Sequence, residues 1–232
     1  MPTDPVATAA TSADTLLFDF DGPICNVFAG VPAPGVAREL TRLVTSKDEA
    51  AGRKAAETDD PIEVLRIADA ADVMLGQEVE RALTAAEIRA VAVAGPPTPG
   101  SVDALRAAAE TGRNVAVVSN NSGECVAAFL DRHGLRKYVV EIVGRPADQL
   151  HQMKPEPYPL LQAASLLDVD ISTCVLVGDS VTDIQAAHAA GADVIGYANK
   201  PHKHEAFAAS GASAITDHMQ AVADALIGEQ NA

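Results

Sequence analysis

Short apolar runs alternate with Ala-rich segments along most of this chain. Each run is four or five residues long and is bounded by polar or glycine-containing turns. Apolar runs of this length are typical of buried strands, and their alternation with helical segments is typical of a parallel sheet covered on both faces. We therefore predict strands at Thr15–Phe18, Val115–Val118, Val139–Val143, Cys174–Val177 and Asp193–Gly196.

The segments between these runs carry apolar residues at three- and four-residue spacing, which predicts amphipathic helices. Gly112, Gly134 and Gly191 follow three of them, at positions where glycine commonly ends a helix. Together the strands and helices predict an α/β fold with a Rossmann-like, doubly wound parallel sheet. The predicted helices of this part are Ser101–Glu110, Glu124–His133, Pro157–Leu167, Asp183–Ala190 and His218–Ile227.

Residues 24–95 break this alternation and contain no convincing strand, so we predict an all-helical insert there. Its apolar periodicity predicts helices at Val36–Thr45, Pro61–Ala71 and Gln77–Val93, and Asp60 before Pro61 is a typical helix start. The Pro-rich residues 96–100 predict a stiff connection back to the sheet. The predicted organisation is an α/β core of residues 14–23 and 96–232, a helical insert at 24–95, and a flexible N-terminal tail at 1–13.

Charge and length limit the possible functions. The 232 residues include 17 Lys and Arg against 32 Asp and Glu, which gives a formal net charge of −15. A surface this acidic repels nucleic acid and anionic lipid, so we expect neither as a partner. A small anionic substrate remains possible, because a metal ion and a few cations can reverse the field inside one cleft. We expect a monomer or a homodimer.

Three scattered cysteines, Cys25, Cys125 and Cys174, form no CxxC pair and no metal-ligand spacing. The first 13 residues lack the basic and apolar regions of a signal peptide, and no run of about 18 apolar residues occurs. These features predict a reduced, cytoplasmic location.

The first chemical signal is Asp19-Phe20-Asp21-Gly22, directly after the first predicted strand. Residues two apart on a strand point to the same face, so Asp19 and Asp21 project together at the carboxyl end of that strand. Open α/β sheets bind their ligands at this edge. Because two adjacent carboxylates repel each other, the pair favours a bound divalent cation, although the segment alone could also be a simple turn.

The second signal is Gly178-Asp179-Ser180-Val181-Thr182-Asp183, after the strand at Cys174–Val177. If the two strands are neighbours, Asp179 and Asp183 bring the number of carboxylates at one point to four. Such a cluster favours a hard cation such as Mg²⁺, which prefers oxygen ligands. The same segment is also compatible with a helix start capped by Ser180 or Thr182, and the two interpretations do not exclude each other.

These two segments, together with Ser119-Asn120 and Lys154-Pro155, resemble the four ordered motifs of haloacid dehalogenase superfamily hydrolases. The resemblance covers residues 15–196 and is most specific at the first and last motifs. Taken alone, Ser119 could be a helix cap and Lys154 a solvated surface lysine.

The resemblance implies a Mg²⁺-dependent phosphatase that acts on a small phosphorylated metabolite. It implies that Asp19 attacks phosphorus, and that Asp21 protonates the leaving oxygen and then activates water. The implied metal ligands are the Asp19 side chain, the Asp21 carbonyl and Asp179, with Asp183 in or near the first coordination shell. The implied phosphate ligands are Ser119, the Asn120 amide and Lys154.

Members of this superfamily with an insert at this place carry a helical cap over the site, so the resemblance implies that residues 24–95 are a cap. Pro23 stands where Thr or Val is common, which we expect to alter only the loop into the insert. Arg145 and Asp148 lie in the loop between a strand end and Lys154, and the sequence leaves open whether either approaches the site. Cationic residues of the insert are candidate substrate contacts or simply solvated: Arg38, Arg42, Lys47, Arg53, Lys54 and Arg66.

Other functions are compatible with parts of this pattern. A phosphomutase of the same superfamily would use the same nucleophile and acid/base. A 2-haloacid dehalogenase does not need the second aspartate that Asp21 supplies. A phosphonate hydrolase needs a cap lysine that forms a Schiff base with the substrate, and the sequence around Lys47 and Lys54 marks neither for that role. A non-catalytic binding protein is expected to lack one of the motif residues, whereas all are present here.

Overall fold

The protein, described here from a computed structural model over residues 4–230, is built on one parallel sheet. The spatial order of the strands is β3-β2-β1-β4-β5-β6, and each neighbouring pair is parallel. This order reverses direction between β1 and β4, which confirms the doubly wound, Rossmann-like α/β fold class. The strands are β1 (Thr15–Phe18), β2 (Asn114–Val118), β3 (Glu141–Val143), β4 (Cys174–Gly178), β5 (Asp193–Tyr197) and β6 (Ala214–Thr216).

Helices surround the sheet and fill the segment between β1 and β2. Three short 3₁₀ helices lie at Arg136–Tyr138, Leu150–Gln152 and Ile171–Thr173. The α-helices of the described residues are α1 (Pro5–Ser12), α2 (Ala33–Lys47), α3 (Glu49–Ala55), α4 (Pro61–Ala71), α5 (Val73–Val93), α6 (Ser101–Glu110), α7 (Gly123–Arg132), α8 (Tyr158–Leu167), α9 (Val181–Ala190), α10 (Lys203–Ala209) and α11 (Gln220–Gln230).

Alternate residues of the strands supply the two faces of the sheet with separate hydrophobic cores. Leu16 and Phe18 of β1 face the cluster that includes α1, α6, α7 and α11, whereas Leu17 faces the cluster under α8, α9 and α10. All three side chains are fully buried. This period-2 pattern explains why the strands read as continuous apolar runs, since both faces are covered.

The segment between β1 and β2 is helical throughout its regular structure and has a hydrophobic cluster of its own. That cluster also takes in Leu150 and Met153, which come from the chain after β3. The end of α5 packs differently, because Ala90 and Val91 belong to the main core cluster. The last part of the insert is therefore attached firmly to the sheet domain.

The structure corrects the prediction of a flexible tail at residues 1–13. Residues 5–12 form α1, whose start is capped by Asp4 Oδ1 accepting from the Val6 amide at 3.0 Å. The buried face of α1 consists of Val6, Ala9 and Ala10, and it packs against α11. Small alanines give little hydrophobic contrast, which is why the apolar pattern missed this helix. Residues 1–3 lie outside the described residues.

Other differences are smaller. The strand predicted at Val139–Val143 begins only at Glu141, after the 3₁₀ turn of residues 136–138. The pattern also missed α3, α10 and β6, which are seven, seven and three residues long. Elements this short carry too few residues for a clear period. No helix within residues 4–230 combines the length and the apolar character needed to span a bilayer.

Candidate functional site

A cleft of about 680 Å³ opens at the carboxyl ends of β1 and β4, with helices of the insert on its other side. The two strands are neighbours, and the Asp19 amide donates to the Val177 carbonyl at 2.9 Å. The sequence motifs therefore meet in space as their order predicts. All of the predicted site residues line this one cleft: Asp19, Asp21, Ser119, Asn120, Lys154, Asp179 and Asp183.

Asp19 is the first residue beyond β1 and is buried, with 8% of its surface exposed. Its Oδ1 accepts from the Phe20 amide at 2.7 Å and lies 2.9 Å from Lys154 Nζ. Burial, followed by repulsion from Asp183, raises the pKa of Asp19 well above its ordinary value. Lys154 and its hydrogen bond to Asp19 act in the opposite direction, but they do not offset burial and the neighbouring carboxylates.

Lys154 is buried and is the central cation of the site. Its Nζ lies 2.9 Å from Asp19 Oδ1 and 2.7 Å from Asp183 Oδ1, and it donates to the Val118 carbonyl at 3.0 Å. Burial alone would lower the pKa of Lys154, but the two aspartates outweigh burial and raise it. The interpretation of Lys154 as a solvated surface lysine is therefore wrong.

Asp183 joins the helix start to the cleft. Its Oδ2 accepts from the Asp179 and Ser180 amides at 3.1 and 3.0 Å, while the Ser180 hydroxyl caps α9. The predicted capping box is thus confirmed, with Ser180 as the cap. Oδ1 of the same carboxylate, which is fully buried, faces Lys154.

Three carboxylates offer oxygen atoms to a common point: Asp19, Asp179 and Asp183 can each place one within 4.8 Å of the others. Carboxylate oxygens are hard donors, and the three carboxylates carry more negative charge than Lys154 offsets. This donor set suits a divalent cation such as Mg²⁺ and so fits the metal that the motifs imply. Two groups fix Asp179, because Lys203 Nζ lies 2.6 Å from its Oδ2 and the side-chain Nδ2 of Asn199 donates to the same oxygen at 3.0 Å.

Asp21 lies beside this cluster, but its carboxylate is not one of the three. Its Oδ1 accepts from the Val27 amide at 3.0 Å. Burial raises the pKa of Asp21 to about 6. A carboxylic acid with such a pKa exists in both protonation states near neutral pH, as an acid/base group requires.

Gly22 is necessary for the close approach of the two strand ends. Its φ is +111°, and a Cβ at this position would lie 2.4 Å from Asp179 Cγ. Any larger residue would therefore push the Asp179 carboxylate away from the cluster.

The segment Ser119–Ser122 follows β2 and forms another side of the cleft. The Ser119 hydroxyl is buried and bonds to Asn121, donating to Oδ1 at 3.2 Å and accepting from the amide at 3.1 Å. The Asn120 side chain bonds both backbone groups of Lys154. Ser122, not Ser119, caps α7, so the interpretation of Ser119 as a helix cap is wrong.

The cationic residues of the insert do not line the cleft, whose wall on that side is formed by Phe28, Ala33, Pro34 and residues 58–62. Arg38 and Arg42 line a smaller pocket of about 350 Å³ that shares Thr58 and Asp59 with the cleft. The rest lie at the surface or pair elsewhere: Lys47 with Glu78, Arg53 with Glu49, Arg66 with Glu63 and the Lys154 carbonyl, and Lys54 exposed.

Four important residues were missed or left open by the sequence analysis. Arg145, Glu80 and Glu87 form a buried ion-pair cluster behind the Ser119–Ser122 segment, and Lys203 contacts Asp179. One signal for the acidic pair exists, because Glu80 and Glu87 are seven residues apart and therefore share one face of α5. The other buried residues of α5 are apolar, and in the sequence alone the two glutamates have no evident partner, which is unusual for charges on a buried face.

Comparison with known proteins agrees with the motifs. The family model described as haloacid dehalogenase-like hydrolase matches residues 13–191. A phosphoglycolate phosphatase of Cupriavidus necator is 39% identical over 128 residues, which cover 53% of each chain. One from Rhodospirillum rubrum is 34% identical over 130 residues, covering 54% of this chain and 51% of its own. The chain therefore spans about half the length of the curated relatives it matches.

Solved structures share the fold over nearly the whole chain. A putative phosphoglycolate phosphatase of Lactobacillus plantarum has a TM-score of 0.67 at 16% identity, with 92% of this chain and 99% of that chain covered. CbbY of Rhodobacter sphaeroides, in complex with xylulose-(1,5)bisphosphate, has a TM-score of 0.62 at 22% identity, with 90% and 95% covered. By the family match over most of its length, this chain belongs to the haloacid dehalogenase-like hydrolases.

Proposed function

We propose that this chain is a Mg²⁺-dependent phosphatase that hydrolyses a small phosphorylated metabolite through an aspartyl-phosphate on Asp19. The observation that carries the proposal is the convergence of Asp19, Lys154 and the carboxylates after β4 in a single cleft. Family membership and the phosphoglycolate phosphatase relatives support a phosphate monoester as the substrate class.

The chemistry needs a nucleophile and an acid/base group close together. A carboxylate oxygen of Asp19 attacks phosphorus, the bond from phosphorus to the leaving oxygen breaks, and Asp21 gives its proton to that oxygen. A water molecule then attacks the aspartyl-phosphate while Asp21 accepts a proton, and inorganic phosphate leaves with Asp19 restored. Dividing the displacement into two steps suits a reaction whose uncatalysed rate is among the slowest known.

Charge stabilisation is the second requirement, because the transferred group carries negative charge on three oxygens. Asp19, Asp179 and Asp183 would hold Mg²⁺, which supplies most of the positive charge when bound. Lys154, whose Nζ contacts both Asp19 and Asp183, and the Ser119 hydroxyl would bind phosphoryl oxygens. Lys203 keeps Asp179 in one orientation, since its Nζ also donates to the Asp179 carbonyl at 2.6 Å.

Residues 24–95 serve as a cap in this proposal, because they form the wall of the cleft that faces the sheet. That wall has both apolar and acidic members, among them Phe28, Ile62 and Asp59, so it would contact the part of the substrate beyond the phosphate. Excluding water there protects the aspartyl-phosphate until the second step.

The test is phosphate release from a panel of phosphorylated metabolites, phosphoglycolate included, with and without Mg²⁺. Wild type should release phosphate only with the metal, and Asp19→Asn should abolish release. Asp14→Asn is the matched control, because Asp14 is an exposed aspartate just before the other end of β1. A folded wild type that releases no phosphate, or that only isomerises a sugar phosphate, would refute the proposal.

A further inference from the structure

Arg145 lies in the interface between the insert and the sheet domain, and its side chain is fully buried. Its guanidinium donates to Glu87 Oε1 at 2.9 Å, to Glu80 Oε1 at 3.0 Å and to the Thr84 hydroxyl at 2.9 Å, all on α5. It also donates to the Asn120 carbonyl at 2.9 Å. One side chain from the loop after β3 thus connects the last insert helix with the segment after β2.

Glu87 extends this connection toward the cleft. Its Oε1 accepts from Asn121 Nδ2 at 3.0 Å and its Oε2 from the Ser122 amide at 3.0 Å. Asn121 in turn holds the Ser119 hydroxyl through the two bonds described above. A continuous hydrogen-bonded path therefore runs from α5 to the Ser119 hydroxyl and to the Asn120 carbonyl.

Burying two carboxylates with one guanidinium is costly, and apolar side chains would attach α5 at less cost. The end of α5 already has such an attachment, since Ala90 and Val91 pack in the main core and Arg132 donates to the Val91 carbonyl at 2.7 Å. Contacts other than the charged cluster therefore also fasten the helix. The bonds of the charged cluster to residues 120–122 fix the position of a loop that lines the cleft.

We propose that Arg145 and Glu87 are positioning residues that hold the Ser119–Asn120 segment for phosphate binding and make its geometry depend on how α5 is seated. The inference rests on the proposed function, because it takes that segment as a phosphate ligand. Neither residue lines the cleft, so each acts through the groups it holds.

The test measures the affinity for inorganic phosphate by calorimetry in the presence of Mg²⁺, for wild type, Arg145→Lys and Glu87→Gln. Each variant keeps the approximate size of its side chain but loses part of the bidentate pairing. We expect phosphate affinity to fall about 10-fold or more, a loss of about 1.4 kcal/mol. Glu78→Gln is the matched control, because Glu78 is a partly exposed glutamate on the same helix, and it should bind phosphate as wild type does.

A purely structural role makes a different prediction. It would lower the unfolding temperature and the folded fraction, while the folded protein would keep its phosphate affinity and its KM. Unchanged phosphate affinity in both folded variants, or a wild type that binds no phosphate, would overturn the inference. If Glu87→Gln does not fold, Arg145→Lys alone decides, since lysine retains the buried positive charge. Because phosphate binding is measured without turnover, failure to hydrolyse any substrate would count only against the proposed function.

Discussion

Replacing Lys154 with methionine tests the electrostatic logic of the site most directly. Methionine is similar in length but cannot donate or carry charge, so Asp19 and Asp183 lose the ammonium that lies 2.9 and 2.7 Å from their Oδ1 atoms. The Val118 carbonyl loses a donor as well. Since all these groups are buried, water cannot replace the missing contacts at low cost.

The expected loss is large. Removing one partner from a buried ion pair typically costs about 3–5 kcal/mol, because the other charge remains uncompensated. For a chain of this size that corresponds to a decrease of about 6–20 °C in the unfolding temperature. Mg²⁺ should reduce the difference from wild type, because a divalent cation at the carboxylates replaces part of the lost positive charge. Phosphatase turnover should fall by about two to three orders of magnitude.

Thermal and denaturant unfolding at neutral pH, with EDTA and with Mg²⁺, measures this effect. Lys54→Met is the control, because Lys54 is exposed on the insert and should change stability by less than about 0.5 kcal/mol. A loss below about 1 kcal/mol for Lys154→Met in metal-free buffer would refute the reasoning, since it would mean that the two aspartates are not held by this lysine.

Three further predictions concern the metal site, the cysteines and the N-terminal helix. Gly22→Ala should weaken Mg²⁺ binding about 10-fold in calorimetry, because the new Cβ would lie 2.4 Å from Cγ of Asp179, a proposed metal ligand. Gly112→Ala is the control, because Gly112 also has a positive φ but a Cβ there meets nothing within 4 Å, so Mg²⁺ binding should not change. Ala10→Asp should lower the free energy of unfolding by more than about 3 kcal/mol, because it buries an unpaired charge. Thr8→Asp, on the exposed face of the same helix, should be nearly neutral. Equal effects of the two substitutions would contradict the packing of α1. Burial raises the pKa of the thiols of Cys25, Cys125 and Cys174, so Ellman's reagent should react with none of them in the native protein and with all three in guanidinium chloride. A fast reaction of any of the three thiols in the native protein would contradict this prediction.

Most of the sheet was predictable because its central strands are buried on both faces, whereas the three-residue edge strand β6 was missed. A continuous apolar run such as the one ending at Phe18 is visible without knowing its neighbours. Gly191 likewise marks the end of α9 in the sequence, and the structure confirms this with a φ of +87°. Helix α1 was not predictable in the same way, because its buried face is mostly alanine. Helix α3 is hidden for another reason, since Asp48 ends α2 and caps α3 without an intervening loop.

Some residues of the site were also predictable from the strand pattern, and others were not. Asp19 and Asp179 stand at strand ends, so the strand pattern alone indicates that they meet once β1 and β4 are neighbours. Lys203 could not be found in this way, because it lies on α10, a helix that the apolar pattern missed. The contact between Arg145 and Glu87 depends on how α5 lies over the sheet, which no local pattern records.

Under the proposed function, the distribution of charge indicates what so acidic a chain needs in order to bind an anion. Its net charge is −15, and six aspartates line the cleft. Lys154 and Lys203 are both engaged by these aspartates, so neither has a whole positive charge to offer a phosphate dianion. At an effective dielectric constant of about 20, a dianion about 5 Å from one uncompensated carboxylate is repelled by roughly 7 kcal/mol, which hydrogen bonds from Ser119 alone cannot offset. Under the proposed function, productive binding would therefore require a divalent cation at the carboxylates, and the lysines would set the geometry in which that cation and the phosphate meet.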